Sequence, residues 1–219
     1  AEKICQILKD VASSGVKILA ISDDAYFGLN YEDNIEPESL FARTCDLHPN
    51  ILAVKIDGPT KEDFVWGFRS GFLTFGNSTL TSEQYTALIT KLMGIIRSSV
   101  SCSSTPPQSL LLRAIKDPAT NIQKNEYRNI LEERYKIVRN FCNTHKCSCL
   151  EPLPFNSGYF MSFNVIGKDS EQLRKKLLNE YGIGVVSIDS KTLRVAFSSI
   201  EKEKLETVYE AIFKAAEEL

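Results

Sequence analysis

Apolar positions in residues 2–14 fall at Ile4, Ile7, Leu8 and Val11, one face of a helix that Gly15 stops. Residues 16–21 follow as a short, nearly continuous apolar run, the pattern of a strand buried on both faces. A polar segment, Ser22-Asp23-Asp24-Ala25-Tyr26-Phe27-Gly28, leaves its end. Residues 38–47 predict a short helix, and residues 51–56 a second buried strand. The connection between the two runs is long enough for a parallel crossover. From Ile56 to Phe72 the link is near the minimum for a crossover, and its Gly and Pro content argues against a full helix. Residues 72–75 are therefore expected to run antiparallel to a neighbour in the same sheet.

Thr81-x-x-Gln84 has the form of a capping box and opens a helix through Tyr85, Leu88, Ile89, Leu92, Met93 and Ile96 toward Val100. Pro106 and Pro107 suit the start of a helix over 108–115, which Asp117-Pro118 ends. A long helix is predicted over 121–144, with Tyr127, Ile130, Leu131, Tyr135, Val138 and Phe141 on one side. Beyond Cys147 the pattern changes. Residues 151–158 read as a loop and 159–165 as a strand. Asp169-x-x-Gln172 caps a helix ending near Gly182, residues 184–188 and 192–197 are two short strands, and Ser198-x-x-Glu201 caps a last helix bearing Leu205, Val208, Ile212, Phe213 and Leu219. This β-α-β-β-α order is an α+β layer of its own. The three strands of the first part are too few for a closed α/β domain and read as the trailing end of a larger sheet. The expected division is 1–120 and 121–219.

Composition narrows the class. Of 219 residues, 43% are hydrophobic and 25% charged, ordinary for a soluble globular chain of one or two domains. A net charge of −2 gives no broad basic field for nucleic acid or an anionic membrane. No apolar run approaches the ~18 residues that span a bilayer. The start, Ala1-Glu2-Lys3-Ile4, lacks a signal-peptide pattern and an initiating Met, as expected of a piece of a longer chain. Six scattered cysteines point to reduced thiols and a cytoplasmic location. Cys142-x-x-His145-x-Cys147-x-Cys149 lacks paired C-x-x-C spacing and a second ligand cluster, so no metal is expected.

Candidate chemistry centres on residues 58–71, between the second and third strands, where glycines at 58, 67 and 71 permit sharp turns or close approach. Lys61, in a turn that limits its hydration, can act as an amine nucleophile toward a carbonyl, and Arg69 can hold an oxyanion with its planar fork. The bland alternative is a solvated lysine paired with Glu62 or Asp63. Asp23-x-x-Tyr26 lies just past a strand's C-terminal end, where open α/β sheets place ligands; a turn cap and a half-buried aromatic are the alternatives. Arg194 sits in the apolar run 192–197, where a charge is costly unless paired or placed at an edge.

In this order, Asp23, Tyr26, Lys61, Arg69 and Arg194 resemble the signature of the aspartate aminotransferase superfamily, fold-type-I enzymes dependent on pyridoxal 5'-phosphate (PLP). The likeness covers nearly the whole chain but only the C-terminal portion of the family's polypeptide. It implies a mixed α/β fold: the end of the large cofactor-binding domain, then a small α+β domain. It implies that Lys61 forms the aldimine with PLP and moves the proton, and that Asp23 pairs with the pyridine nitrogen. Tyr26 would bond the ring oxygen, Arg69 the phosphate, and Arg194 the substrate carboxylate, with Asn156, Ser157 and Gly158 near the substrate. Gly58 stands where many members have a phosphate-binding Ser or Thr, and Thr60 is the substitute. The resemblance implies amino acid and 2-oxo acid substrates and a homodimer, with the rest of the cofactor site supplied by the preceding half of the polypeptide. A β-lyase, a decarboxylase and a non-catalytic sensing domain of a transcription regulator share the scaffold and stay open.

Overall fold

The structure, a computed structural model, describes residues 1–219. The chain forms two compact units, one of residues 1–28 and 34–124, the other of residues 29–33 and 125–219. It has the mixed α/β character expected from the sequence.

The first unit holds α1 (Glu2–Ser13), β1 (Ile18–Asp23), α2 (Leu40–Thr44), β2 (Ile51–Asp57), α3 (Pro59–Glu62), β3 (Phe72–Gly76), α4 (Ser82–Ser99), α5 (Thr105–Lys116) and the start of α6 (Pro118–Thr144). β1 and β2 are parallel, in register from Ile18↔Ile51 to Asp23↔Ile56. β3 lies antiparallel on the other side of β2, as its short connection requires, with Asp57 opposite Phe72 and Ala53 opposite Gly76. Ile51 and Ala53 are fully buried, and α2 packs against β1 and β2. The approach of α2 is close: a Cβ on Gly76 would meet the Cys45 Cβ at 2.5 Å and Phe41 Cζ at 3.1 Å. The Thr81–Gln84 capping box forms in full, with each side chain bonded to the other's backbone N–H.

Burial differs from expectation here. β1 alternates rather than being buried on both faces, with Leu19 and Ile21 58% and 56% exposed. The apolar stripe of α1 is open at Ile4, Ile7 and Val11, leaving Ala12 as its buried residue, and α4 buries none. The hydrophobic pattern of these faces is thus largely open, although Ile89, Leu92 and Ile96 of α4 border a cleft with Leu73 and Phe75 of β3. α6 also begins earlier than its periodicity suggested. Asp117 alone separates it from α5: its Oδ1 accepts the Ala119 N–H at 2.9 Å, and Pro118 takes the first helical position, where a missing N–H costs nothing.

The second unit contains the end of α6, β4 (Leu150–Pro152), β5 (Met161–Val165), α7 (Ser170–Tyr181), β6 (Val186–Ser187), β7 (Thr192–Val195) and α8 (Leu205–Glu217). Its antiparallel sheet has the order β4-β5-β7-β6. Phe163, Leu193, Leu173, Leu177, Tyr209 and Ile212 are fully buried, and Leu131, Tyr135, Val138 and Phe141 line the buried side of α6. Phe163 faces Leu193 across the β5–β7 ladder, with its ring 5.7 Å from that of Phe213 and 6.1 Å from that of Tyr209. Asp169 accepts the Gln172 N–H at 3.0 Å, and Gly182 ends α7 in the left-handed region at φ 67.

Two expectations are corrected. Residues 150–152 form an edge strand inside the stretch read as a loop, so the order is β-β-α-β-β-α; three residues including Pro152 carry too little pattern to be seen in sequence. Ser198 does not cap the last helix. Fully buried Phe197 holds residues 197–199 in a 3-10 turn whose Ser198 carbonyl accepts from Arg134, and α8 starts at Leu205 after a second 3-10 turn.

No helix is long and apolar enough to cross a membrane. Because Phe163 fills the centre of the second unit, Phe163→Ala should cost about 3–5 kcal/mol. Chemical denaturation followed by far-ultraviolet circular dichroism measures it; a loss under about 1 kcal/mol would contradict the packing described.

Candidate active site

Parallel strands paired in step end side by side, and the C-terminal ends of β1 and β2 do so here. Asp24 N–H donates to the Ile56 carbonyl at 2.8 Å, one step beyond the ladder. The chain leaving β1 turns tightly: Asp23 Oδ1 accepts the Ala25 N–H at 3.2 Å and Phe27 N–H bonds the Asp24 carbonyl at 2.9 Å. Asp23 thus serves as a turn cap with its carboxylate exposed, and Tyr26 is half-buried. The chain leaving β2 enters the single turn α3, which carries Thr60 and Lys61, both half-buried. Lys61 Nζ lies 5.5 Å from the centroid of the Tyr26 ring. The structure therefore brings an amine and a phenol together from two separate strand ends, with a carboxylate on the same turn as the phenol.

Residues 58–71 form a loop whose ends touch. A Cβ on Gly58 would stand 2.8 Å from the Ser70 carbonyl oxygen and 3.1 Å from Gly71 Cα. A side chain there would meet backbone, which cannot swing away. Arg69 lies in the left-handed region at φ 51, is exposed, and donates Nη1 to the Trp66 carbonyl at 3.1 Å. Phe64 is also left-handed, at φ 56. Such backbone costs about 1–3 kcal/mol per residue and persists where surroundings over-determine it. Lys124 supplies part of that hold, with Nζ 2.6 Å from Asp63 Oδ1 and 4.0 Å from Glu62 Oε1. Glu62 and Asp63, the acids suggested for Lys61, are thus held by Lys124. Glu62 borders a cleft with Pro59, Phe68 and Leu110, and burial there pushes its carboxyl above the ordinary range.

Sequence reasoning passed over Lys55. On β2 it sits opposite Ser22 and Thr74, and its Nζ lies 2.5 Å from Asp57 Oδ2, 4.0 Å from Asp24 Oδ2 and 5.2 Å from the Phe27 ring centroid. The Asp57 contact holds the ammonium more firmly protonated than usual. Asp24 Oδ2 is buried without a hydrogen-bond partner. A lysine within an otherwise apolar strand was the available signal, because a buried charge demands a counter-charge.

In the second unit Arg194 is on β7, an interior strand between β5 and β6, so the edge alternative does not apply. Its guanidinium lies 4.7 Å from the Phe160 ring centroid, and its Nε is buried without a hydrogen-bond partner. Asn156 borders a cleft with Glu32, Arg139 and Phe155, and its carbonyl accepts the Tyr31 N–H at 3.0 Å. Ser157 bridges to Asn30, and the Gly158 carbonyl accepts the Tyr31 hydroxyl at 2.7 Å. The Tyr135 hydroxyl bonds Glu32 and is pushed up to about 12, by burial first and that carboxylate second. Burial pushes the Cys142 thiol up to about 11, which keeps it protonated and unreactive. No three His, Cys, Asp or Glu side chains are placed to hold a metal ion.

The model of the family aminotransferase class I and II matches residues 1–212. Among solved structures, an aminotransferase from Anaerococcus prevotii superposes with a TM-score of 0.82 at 22% identity, covering 98% of this chain and 51% of that one. An alanine aminotransferase from Pyrococcus furiosus gives 0.76 at 20% identity, covering 100% and 54%. The α-aminoadipate aminotransferase of Thermus thermophilus, solved with N-(5'-phosphopyridoxyl)-L-leucine, gives 0.75 at 17% identity, covering 99% and 53%. At these identities the likeness is one of fold. This chain spans about half the length of the structures it matches. No curated protein matches it.

Two outcomes follow from the loop. Gly58→Ser should destabilise by about 1–3 kcal/mol, read from the denaturation midpoint, because the new side chain strikes the Ser70 carbonyl. Glu62 holds its proton more tightly folded than unfolded, so its contribution favours folding below the ordinary value of 4.5 and is lost as pH rises through the folded value. Glu62→Gln should therefore raise stability at pH 7, with the gain vanishing below pH 4.5; thermal unfolding at both pH values checks it, and equal gains at both would contradict it.

Proposed function

The chain belongs to the aminotransferase class I and II family, and we propose that it is the C-terminal part of a PLP-dependent aminotransferase. The observation that carries the reading is the approach of Lys61 to Tyr26, 5.5 Å from ammonium to ring centroid, at the ends of two parallel strands. The residues present fit the cofactor's chemistry. An amine suited to a carbonyl carbon, a phenol suited to a ring oxygen and an exposed carboxylate suited to a ring N–H lie on adjoining turns. The left-handed backbone at Arg69 is the kind of strain that collects at ligand sites, and its guanidinium suits a phosphate.

Pyridoxal phosphate, when bound, supplies an electron sink for charge developing at the substrate Cα. This chain's residues do the rest. Lys61 Nζ would hold the cofactor at its carbonyl carbon and, once free, would carry the proton from the substrate Cα. The Asp23 carboxylate would keep a proton on the ring nitrogen, and Tyr26 would donate to the ring oxygen. Arg69, with Thr60 beside Lys61, would hold the phosphate. Arg194 fixes the substrate carboxylate; a planar fork backed by an aromatic ring loses little freedom on binding, and its Nε still lacks a partner. Asn156 would contribute to substrate binding. The substrates are an amino acid and a 2-oxo acid, exchanged by a ping-pong route.

The open faces support a longer polypeptide, which we propose to be a cytoplasmic homodimer. Leu19 and Ile21 on β1 and Ile89, Met93, Ile95 and Ile96 on α4 present apolar surface that a further half of the polypeptide would cover. Residues 1–120 then form the end of the large domain with its connecting helices, and residues 121–219 the small domain.

Borohydride reduction of the complete protein with pyridoxal phosphate should leave a pyridoxyl group on the peptide containing Lys61, and Lys61→Ala should abolish both the label and transamination. A label on another lysine in the wild-type protein would overturn the assignment.

A further inference from the structure

We infer that Lys55 is a positioning residue for the cofactor site: one ammonium ties the turn that carries Asp23 and Tyr26 to the end of β2, the strand that leads into the turn carrying Lys61, and sets the charge beside that junction. The inference rests on the reading that Lys61 attaches pyridoxal phosphate.

The sheet's alternation fixes which groups meet. Lys55 is paired with Ser22, so its side chain shares a face with Asp24 and Asp57, two residues onward on each strand, while Asp23 and Ile56 point to the other face. Asp24 follows Asp23 directly, and Asp57 begins the approach to Gly58, Thr60 and Lys61. Lys55 Nζ reaches both carboxylates, at 4.0 and 2.5 Å, and the Phe27 ring lies 5.2 Å away. The groups facing it are Asp57 from its own strand, Asp24 from the β1 turn and Glu62 from α3. Only 23% of the Lys55 side chain is exposed, with 20% for Asp57 and 14% for Asp24, so solvent screens these charges incompletely.

That arrangement does more than join two segments. Two carboxylates lie within 4.0 Å of one ammonium, the charge of Glu62 acts on it as well, and Asp24 Oδ2 has no hydrogen bond to offset its burial. Loss of the Lys55 charge leaves the neighbourhood more negative, so a proton on Lys61 Nζ is held more tightly. Loss of the Asp24 charge does the reverse. A residue that merely fills space would produce neither effect.

The test uses the complete protein loaded with pyridoxal phosphate. The pH titration of its visible absorbance reports the proton on Lys61 Nζ once the cofactor is attached, and borohydride trapping with peptide mass analysis locates the attachment. Lys55→Met should raise the titration midpoint by about half a unit or more, and Asp24→Asn should lower it by a similar amount. The double variant should return toward wild type, and Lys55→Arg should match it. If Lys55→Met fails to fold, the downward shift of Asp24→Asn and the silence of Lys55→Arg decide the matter. Unmoved midpoints, or shifts of the same sign, with the label still on Lys61, would overturn the role of Lys55 alone. A label on Lys55 or any other lysine would overturn the reading beneath it.

Discussion

Parallel pairing of β1 and β2 is the constraint on which the rest of the site depends. Two parallel strands held in register must deliver their C-terminal ends to the same edge, and the segments leaving them must turn there. Asp23 and Tyr26 leave one strand, Lys61 leaves the other, and residues far apart in sequence become neighbours, with Lys61 Nζ 5.5 Å from the Tyr26 ring centroid. The antiparallel return of β3 then closes the edge. Asp57 pairs with Phe72, so everything from Gly58 to Gly71 is an excursion that starts and finishes at one point.

That excursion stores strain. Phe64 and Arg69 adopt left-handed backbone, and the Gly58–Ser70 contact leaves no room for a Cβ. Lys124, on the long helix α6, holds the first acids of the loop, while Lys55 contacts carboxylates at both strand ends. The loop is thus pinned at its base and near its start. Under the proposed reading, rigid support beneath such a turn would let the Lys61 amine meet a small flat ligand in one orientation. The second unit applies the same logic to Arg194. An interior strand fixes its backbone and the Phe160 ring lies against the guanidinium, leaving Nε unsatisfied.

Much of this was legible in the chain. The run at 51–56, the Thr81–Gln84 box, the Asp169 cap and the Gly182 stop are local signals with local causes, and each formed as read. So did the antiparallel sense of β3, because too few residues precede it for a crossover. What the chain did not reveal was set at a distance. Leu19 and Ile21 look like core residues, yet burial is a property of partners. The three-residue strand at Leu150–Pro152 exists because β5 offers an edge, and the late start of α8 follows from where Phe197 packs. The Lys55 clamp needed coordinates, since neither Asp24 nor Asp57 announces which cation it will meet.

The most direct test of the account is an experimental structure of the complete protein with pyridoxal phosphate. Continuous density from the Lys61 side chain into the cofactor, with Asp23 and Tyr26 against its ring, is the predicted result. Density joining the cofactor to another side chain, or the β1 turn displaced from it, would contradict the claim that two parallel strand ends assemble the site.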